Sequence, residues 1–267
     1  NVAVAVERLG HQAAFLGQVG DDPFGHFLAE VMEAEGVDIS GLRYTDKART
    51  MLAFVSLAGG GERSFSFYRH PSADMLMTED DVALDVIESA KIFHFGSITM
   101  ISEPSKSATL KAAQHAKDKG LIVSYDPNLR LNLWESEDAA REGMIAGFDY
   151  ATVVKMSEEE LEFTVDGDLD KVWRDSMKLI VITRGGDGSV AHTRNGKFTH
   201  AGFEVEPQDT TGAGDGFVAG MLVGILENPD DYLTKLEDLL CFANAVGGLT
   251  TTNRGAIPAL PTRAQVD

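Results

Sequence analysis

The chain has 267 residues, 42 acidic and 23 basic, for a formal net charge of −19, and 43% of it is hydrophobic. That length and apolar content suit one large α/β domain, or a domain with a small appendage, with ample material for a core. The acidic surplus disfavours a broad nucleic-acid or anionic-membrane surface, so a polyphosphate ligand has to meet locally placed positive charge.

In chain order, Val2, Val6 and Leu9 share one helical face and Gly10 follows as a stop. No basic-then-apolar leader is seen, which points to a cytoplasmic protein. Residues 13–19 read as a buried strand. Gly20-Asp21-Asp22-Pro23-Phe24-Gly25 then opens a helix through about Glu35, with Asp21 and Asp22 as caps. From 51 to 69 the pattern changes to alternation. Leu52, Phe54 and Ser56 stand against Ala53, Val55 and Leu57; a Gly59-Gly60-Gly61-Glu62 turn follows; then Ser64, Ser66 and Tyr68 stand against Phe65 and Phe67. The spacing predicts a hairpin, either an ordinary edge hairpin packed on the core or a small β lid that closes over a site and excludes water.

Strands are expected at 92–96, 121–125, 150–154 and 179–183, with helices at about 103–119, 136–146 and 157–163. Short Val/Ile-rich runs alternating with amphipathic helices argue a mostly parallel sheet covered on both faces. The longest hydrophobic run, 217–226, has helical spacing but is too short to span a bilayer. A last helix at 239–249 carries the single Cys241, which excludes an intrachain disulfide and is expected as a small core residue.

Ligands of open α/β sheets sit beyond the strand C-termini. After 121–125 comes Asp126-Pro127-Asn128-Leu129-Arg130, where Asp126 and Asn128 can fix a turn around Pro127. Ser157 and Glu160 have the spacing of a capping box. Thr183-Arg184-Gly185-Gly186-Asp187-Gly188 is a glycine turn, readable as a nucleotide loop or as a plain hairpin into 190–193. In Asp209-Thr210-Thr211-Gly212-Ala213-Gly214-Asp215, a flexible loop runs into a helix N-terminus, whose unpaired amides suit a phosphoryl oxygen. Asp215 repels such a ligand unless it accepts the proton of a hydroxyl attacking it; the alternative is a helix cap.

The string DTTGAGDGF resembles the C-terminal signature of the ribokinase-like (PfkB-type) carbohydrate kinases, and RLG...FLGQVGDDPFG is similar to their N-terminal one. The resemblance implies a Rossmann-like ribokinase fold over 1–267, with 51–69 as a β lid. It implies an anion hole at Gly212, Ala213 and Gly214 and a catalytic base at Asp215. It places Lys155, Thr183, Arg184, Gly185, Gly188 and Asn244 at ATP, and Asn1, Arg69, Arg130 and Asp215 at the sugar. Glu160 would organise Mg²⁺ through water, although Ser157 stands where the family usually has Asn. Asp209, Thr211, Thr250, Asn253 and Gly255 would hold K⁺. An earlier strand with a sugar-binding Asp and a Gly-Gly turn before the Asn matching Asn1 belong to the family pattern and are absent from this sequence.

The strings GERSFSFYRHPSADM, DPNLRLNLW and NRGAIPALPT resemble fructokinases and their 2-keto-3-deoxygluconate kinase relatives. The resulting expectation is an ATP-dependent sugar kinase, with fructose as acceptor and the keto acid as alternative. A noncatalytic sugar- and nucleotide-binding module is the rival of another class. A homodimer through the lid is a further implication of the resemblance.

Overall fold

The computed structural model describes residues 1–57 and 63–267. Helix α1 (Val2–Arg8) is followed by Gly10 at φ 91°, a conformation that a residue without Cβ adopts freely. Strand β1 (Ala14–Gly20) passes through α2 (Pro23–Ala34) to β2 (Asp38–Thr45), and β1 and β2 pair in parallel as a two-stranded sheet. Contrary to the buried strand expected at 13–19, only Val19 and Gly20 of β1 are buried. The reason is that β1 belongs to a small two-stranded sheet rather than to the central one. Sequence DISGLRYT of β2 carries neither strict alternation nor a Val/Ile run, so that strand was not foreseen.

Asp22 is the cap of α2, and Asp21 instead meets His26 at 2.8 Å. Buried Asp22 accepts from the amides of Phe24 and Gly25, both at 3.0 Å, and from the amide and hydroxyl of Thr50 at 2.8 and 2.9 Å. Burial pulls this carboxyl up, but the hydrogen bonds from Thr50, Gly25 and Phe24 outweigh it and hold it below the usual range. Asp22→Ala is expected to cost about 2–4 kcal/mol, from a lost cap and a stranded buried amide. Because the folded-state value is depressed, this stability is complete above the ordinary Asp range near pH ~4 and is lost on acidification. Urea midpoints of wild type and variant should therefore converge at low pH. A gap that stays constant on acidification would contradict this account.

Strands β3 (Leu52–Leu57) and β4 (Arg63–Tyr68) pair antiparallel as a separate two-stranded sheet, with Leu52 opposite Tyr68. The expected Gly59-Gly60-Gly61-Glu62 turn lies outside the described residues. Phe54 and Tyr68 are 54% and 68% exposed and meet edge to face, so these aromatics lie outside the core.

The chain continues through α3 (Leu84–Ser89), β5 (Ile92–Gly96), α4 (Ser105–Asp118), β6 (Ile122–Asp126), α5 (Glu137–Phe148), β7 (Val153–Ser157) and α6 (Glu158–Val165). After these come β8 (Leu179–Thr183), β9 (Ser189–Thr193), β10 (Gly196–His200), α7 (Ala213–Glu227), α8 (Leu236–Thr250) and α9 (Arg263–Val266). The sheet runs β10-β9-β8-β7-β6-β5; β5 to β8 are parallel, and β9 and β10 are antiparallel. Strand β7 starts three residues later than the 150–154 pattern predicts. Tyr150 and Ala151 instead donate to the Gly147 and Phe148 carbonyls and close the end of α5.

Successive residues of β7 and β8 alternate between two apolar layers. Val154, Met156, Ile180 and Ile182 pack with Ala112 and Ala116 of α4 and Phe148 of α5. Val153, Leu179 and Val181 pack with Phe217 and Met221 of α7 and Leu239 and Leu240 of α8. A strand buried on both faces reads as a continuous apolar run, as LIVIT does. Helices α7 and α8 approach closely, since a Cβ on Gly220 would stand 2.9 Å from the Ala243 Cα. Cys241 is exposed rather than in the core, because Leu240, Ala243, Asn244 and Gly247 form the inner face of α8 and Cys241 falls off it. Among the described residues no helix is long and apolar enough to cross a membrane.

Candidate active site

The site forms where β6, β7 and β8 end and α7 begins. Asp126 closes β6 and accepts through Oδ1 from the Asn128 amide at 3.0 Å, a local turn that holds Asn128 at φ 47°. Arg130 Nη1 donates to Asn128 Oδ1 at 2.8 Å and to the Leu129 carbonyl at 2.9 Å. With its oxygen taken, the Asn128 amide presents its NH₂ to Asp215, 3.4 Å from Oδ1. Asn1 Nδ2 donates to the other oxygen of Asp215 at 2.6 Å. Two amides thus aim one half-buried carboxylate.

Lys155, buried on β7, lies 3.1 Å from Asp126 Oδ2. Its ammonium also borders the head of α7, as a Cβ on Gly214 would stand 3.5 Å from Nζ. Burial works against the Lys155 charge, but Asp126, then Glu160 and Asp215, outweigh it and push the pKa up. Burial raises Asp126 to about 6, with Lys155 opposing and Glu160 and Asp215 adding to the rise. Lys155 is thus held as an ammonium against Asp126 at this turn.

Gly212 caps α7 at φ 83°. The Ala213 amide donates to the Thr210 carbonyl at 3.2 Å, whereas those of Gly212, Gly214 and Asp215 have no acceptor among the described residues. Open amides at a helix start, beside a lysine, form a site for a developing oxyanion. In this arrangement Ala213 shapes the turn and its own amide is spent.

Glu160 is the reciprocal member of a capping box with Ser157, and it also spans to the 126–130 loop. Its two oxygens accept from the Leu129 amide at 2.7 Å and the Ser157 amide at 2.8 Å. Thr183 Oγ1 donates to the Met156 carbonyl at 3.3 Å. The glycine turn after it joins β8 to antiparallel β9, so the hairpin geometry is present, with Arg184 N bonded to the Gly188 carbonyl at 2.8 Å. Arg184 Nη2 donates to Asp187 O at 2.8 Å, and Gly185 faces open space. Asn244 is buried and ties α8 to the strand leaving this turn through Ser189 Oγ at 2.8 Å.

Asp209 accepts from the amides of Thr211 at 2.8 Å and Gly255 at 3.0 Å, which brings the 209–211 and 250–255 loops together. Thr250 donates its hydroxyl to the Val246 carbonyl, and Asn253 is exposed. Arg69 is buried, with Nε and Nη2 on Asp74 at 3.0 and 2.8 Å and Nη2 also on the Ile98 carbonyl at 3.0 Å. Among the described residues no hydrogen bond joins Arg69 to the Asp215 cluster.

His94 on β5 went unnoticed in the sequence. Its Nδ1 lies 3.0 Å from Ser124 Oγ, and removal from water lowers its pKa to about 4 against the pull of Asp215, with Lys155 lowering it further. The imidazole is therefore neutral at pH 7. A lone His within a strand carries no pattern by which sequence reading finds it. Asp126 was read only as a turn residue, since its partner Lys155 lies 29 positions away.

Residues 1–263 match the model of the pfkB family carbohydrate kinases. The chain is 46% identical over 272 residues to fructokinase-2 of Oryza sativa subsp. japonica, covering 99% of this chain and 81% of that protein. It is 48% identical over 273 residues to probable fructokinase-7 of Arabidopsis thaliana, covering 98% and 79%. Among solved structures, fructokinase with bound ATP from Xylella fastidiosa matches at a TM-score of 0.93 and 34% identity, over 99% of this chain and 87% of that one. Fructokinase from Vibrio cholerae O395 in its fructose, ADP and calcium ion bound form matches at 0.89 and 36%, over 99% and 87%. With one family model running almost from end to end and the same fold carrying an acidic residue at the glycine turn of α7, this chain belongs to the pfkB family of carbohydrate kinases.

Proposed function

We infer that this chain transfers the γ-phosphoryl group of ATP to a hydroxyl of fructose, giving fructose 6-phosphate. The observation that carries the reading is the Asp215 carboxylate, aimed by two amides and set at a helix start with open N–H groups and a lysine beside it. Asp215 takes the proton of the attacking hydroxyl, while the amides of Gly212, Gly214 and Asp215 and the Lys155 ammonium receive charge on the transferred group. Thr183, Arg184, Gly185, Gly188 and Asn244 line the nucleotide, and the β3–β4 sheet serves as lid and as dimer contact, supported by exposed Phe54 and Tyr68. The enzyme acts in the cytoplasm, a reading supported by the single cysteine.

Glu160 would hold Mg²⁺ through water, and the ion would supply positive charge against the charge developing on the transferred group. Among the described residues no group of three or more His, Cys, Asp or Glu is built to hold a metal directly. Glu160 suits water-mediated contact, since each of its oxygens takes one amide and keeps another acceptor site. Glu160→Gln is expected to raise the Mg²⁺ concentration for half-maximal activity and to cost roughly 1 kcal/mol, because an amide cannot accept from both Leu129 and Ser157. An unchanged Mg²⁺ titration would leave Glu160 a capping residue. The Asp209, Thr211 and Gly255 loops are assigned to K⁺, with Thr250 and Asn253 contributing backbone rather than side chain.

The fructokinase relatives support fructose as the acceptor. Arg69 is paired with Asp74 and the Ile98 carbonyl rather than held open for the carboxylate of a keto acid, whereas exposed Arg130 commits only Nη1 to its own loop. A panel of sugars with Mg-ATP on the full-length enzyme should give kcat/KM for fructose at least about tenfold above 2-keto-3-deoxygluconate, some 1.4 kcal/mol of transition-state discrimination. A clear advantage for the keto acid would overturn fructose and leave the sugar-kinase reading intact. ADP release that no sugar stimulates would overturn that reading too.

A further inference from the structure

Two halves of the site meet at one buried side chain. The Asp126 side chain is enclosed, and its oxygens divide their work: Oδ1 holds the Asn128 amide at 3.0 Å and Oδ2 holds the Lys155 ammonium at 3.1 Å. The first contact sets the left-handed backbone that presents the Asn128 NH₂ to Asp215. The second fixes a long, flexible side chain whose ammonium borders Gly214. Lys155 leaves β7 and Asp126 ends β6, so neither the phosphate-side cation nor the loop beside the base is aligned by its own strand alone.

We propose that Asp126 is the positioning residue of this site: one carboxylate that aligns the Lys155 cation with the open amides of α7 and, through Asn128, with the Asp215 base. This rests on the phosphoryl-transfer reading above. A lysine carries four rotatable bonds, and without a fixed anion its ammonium samples positions away from the turn. Displacement of a charge-stabilising group by about 1 Å costs up to roughly 10²-fold in rate.

The alternative is that the pair only stabilises the core. Asp126→Asn separates the two, because the amide oxygen still accepts from Asn128 while the charge that holds Lys155 is gone. In the full-length enzyme, Asp126→Asn is expected to lower kcat roughly 10- to 100-fold at saturating fructose and Mg-ATP, with little change in KM for fructose and an unchanged circular dichroism spectrum. The double variant Asp126→Asn, Lys155→Met should match Lys155→Met within about twofold, since Asp126 acts through Lys155 and the effects do not add. The double variant leaves no buried charge unpaired, and in Lys155→Met burial raises Asp126 with no lysine to oppose it, so the carboxyl goes neutral; the comparison therefore holds even where Asp126→Asn alone does not fold. A folded Asp126→Asn enzyme with wild-type kcat overturns the proposal, as does a double variant whose losses simply multiply. Should the wild-type enzyme turn over no sugar, the function reading fails, and Mg-ATP affinity by calorimetry decides this proposal alone: weakening by Asp126→Asn supports it, and unchanged affinity overturns it.

Discussion

Asp215→Asn should lower kcat by about 10²-fold or more, the lower range for removing a positioned general base, while Mg-ATP binding and the fold persist. The geometry explains the size of the effect. Both oxygens of Asp215 accept from amide NH₂ groups, Asn1 at 2.6 Å and Asn128 at 3.4 Å. An Asn at this position retains one acceptor and sets its own NH₂ against a donor, so it loses basicity and aim together. The open amides of Gly212 and Gly214 are backbone and stay in place, which keeps the phosphate side intact. Single-turnover phosphoryl transfer, measured beside nucleotide affinity, separates these effects. Near-normal turnover with an unchanged circular dichroism spectrum would reduce Asp215 to an N-terminal acid of α7.

Gly188→Ala is expected to be the most damaging single-methyl change in the glycine turn after β8, costing about 3 kcal/mol or more. Gly188 sits at φ 82° and ψ −135°, a region that residues with a Cβ avoid at a cost of about 1–3 kcal/mol. Its Cβ would also collide with the His200 carbonyl oxygen at the end of β10, which is backbone in a paired strand and cannot swing away. The turn has to shift, and Arg184 N loses its bond to the Gly188 carbonyl at 2.8 Å. Urea unfolding and Mg-ATP affinity should both suffer. The control is Gly186→Ala: Gly186 faces open space with no positive φ, and its replacement should change stability by less than about 0.5 kcal/mol. Equal behaviour of the two variants would refute the packing argument.

Local chemistry sufficed to read much of this protein. The runs IFHFG and LIVIT became β5 and β8 with the expected ends, since continuous apolar strands bounded by turns admit few alternatives. The Ser157 and Glu160 capping box formed as its spacing predicts, because both partners lie within one helical turn. The glycines before Asp215 opened α7, where a left-handed Gly212 and unpaired amides follow from backbone sterics. The family signature in DTTGAGDGF is equally local.

What the linear chain could not disclose were properties that exist only once distant segments meet. Strand β2 forms because parallel pairing with β1 supplies its hydrogen bonds, not because DISGLRYT prefers to be extended. Cys241 is exposed although its segment is apolar, since the contact with α7 chose which face of α8 turns inward. The resemblance puts Arg69 at the sugar, and only folding shows its contacts with Asp74 and the Ile98 carbonyl. The decisive case is the Asp126–Lys155 pair. Twenty-nine positions apart, the two charges are unrelated in the chain, and only adjacent parallel strands, with water excluded, turn them into an ion pair at the head of α7. Residue types and short spacings determined the fold class and the Asp215 turn. The partners of each charge were decided by tertiary structure, because burial and Coulomb interactions depend on distance in space rather than along the chain.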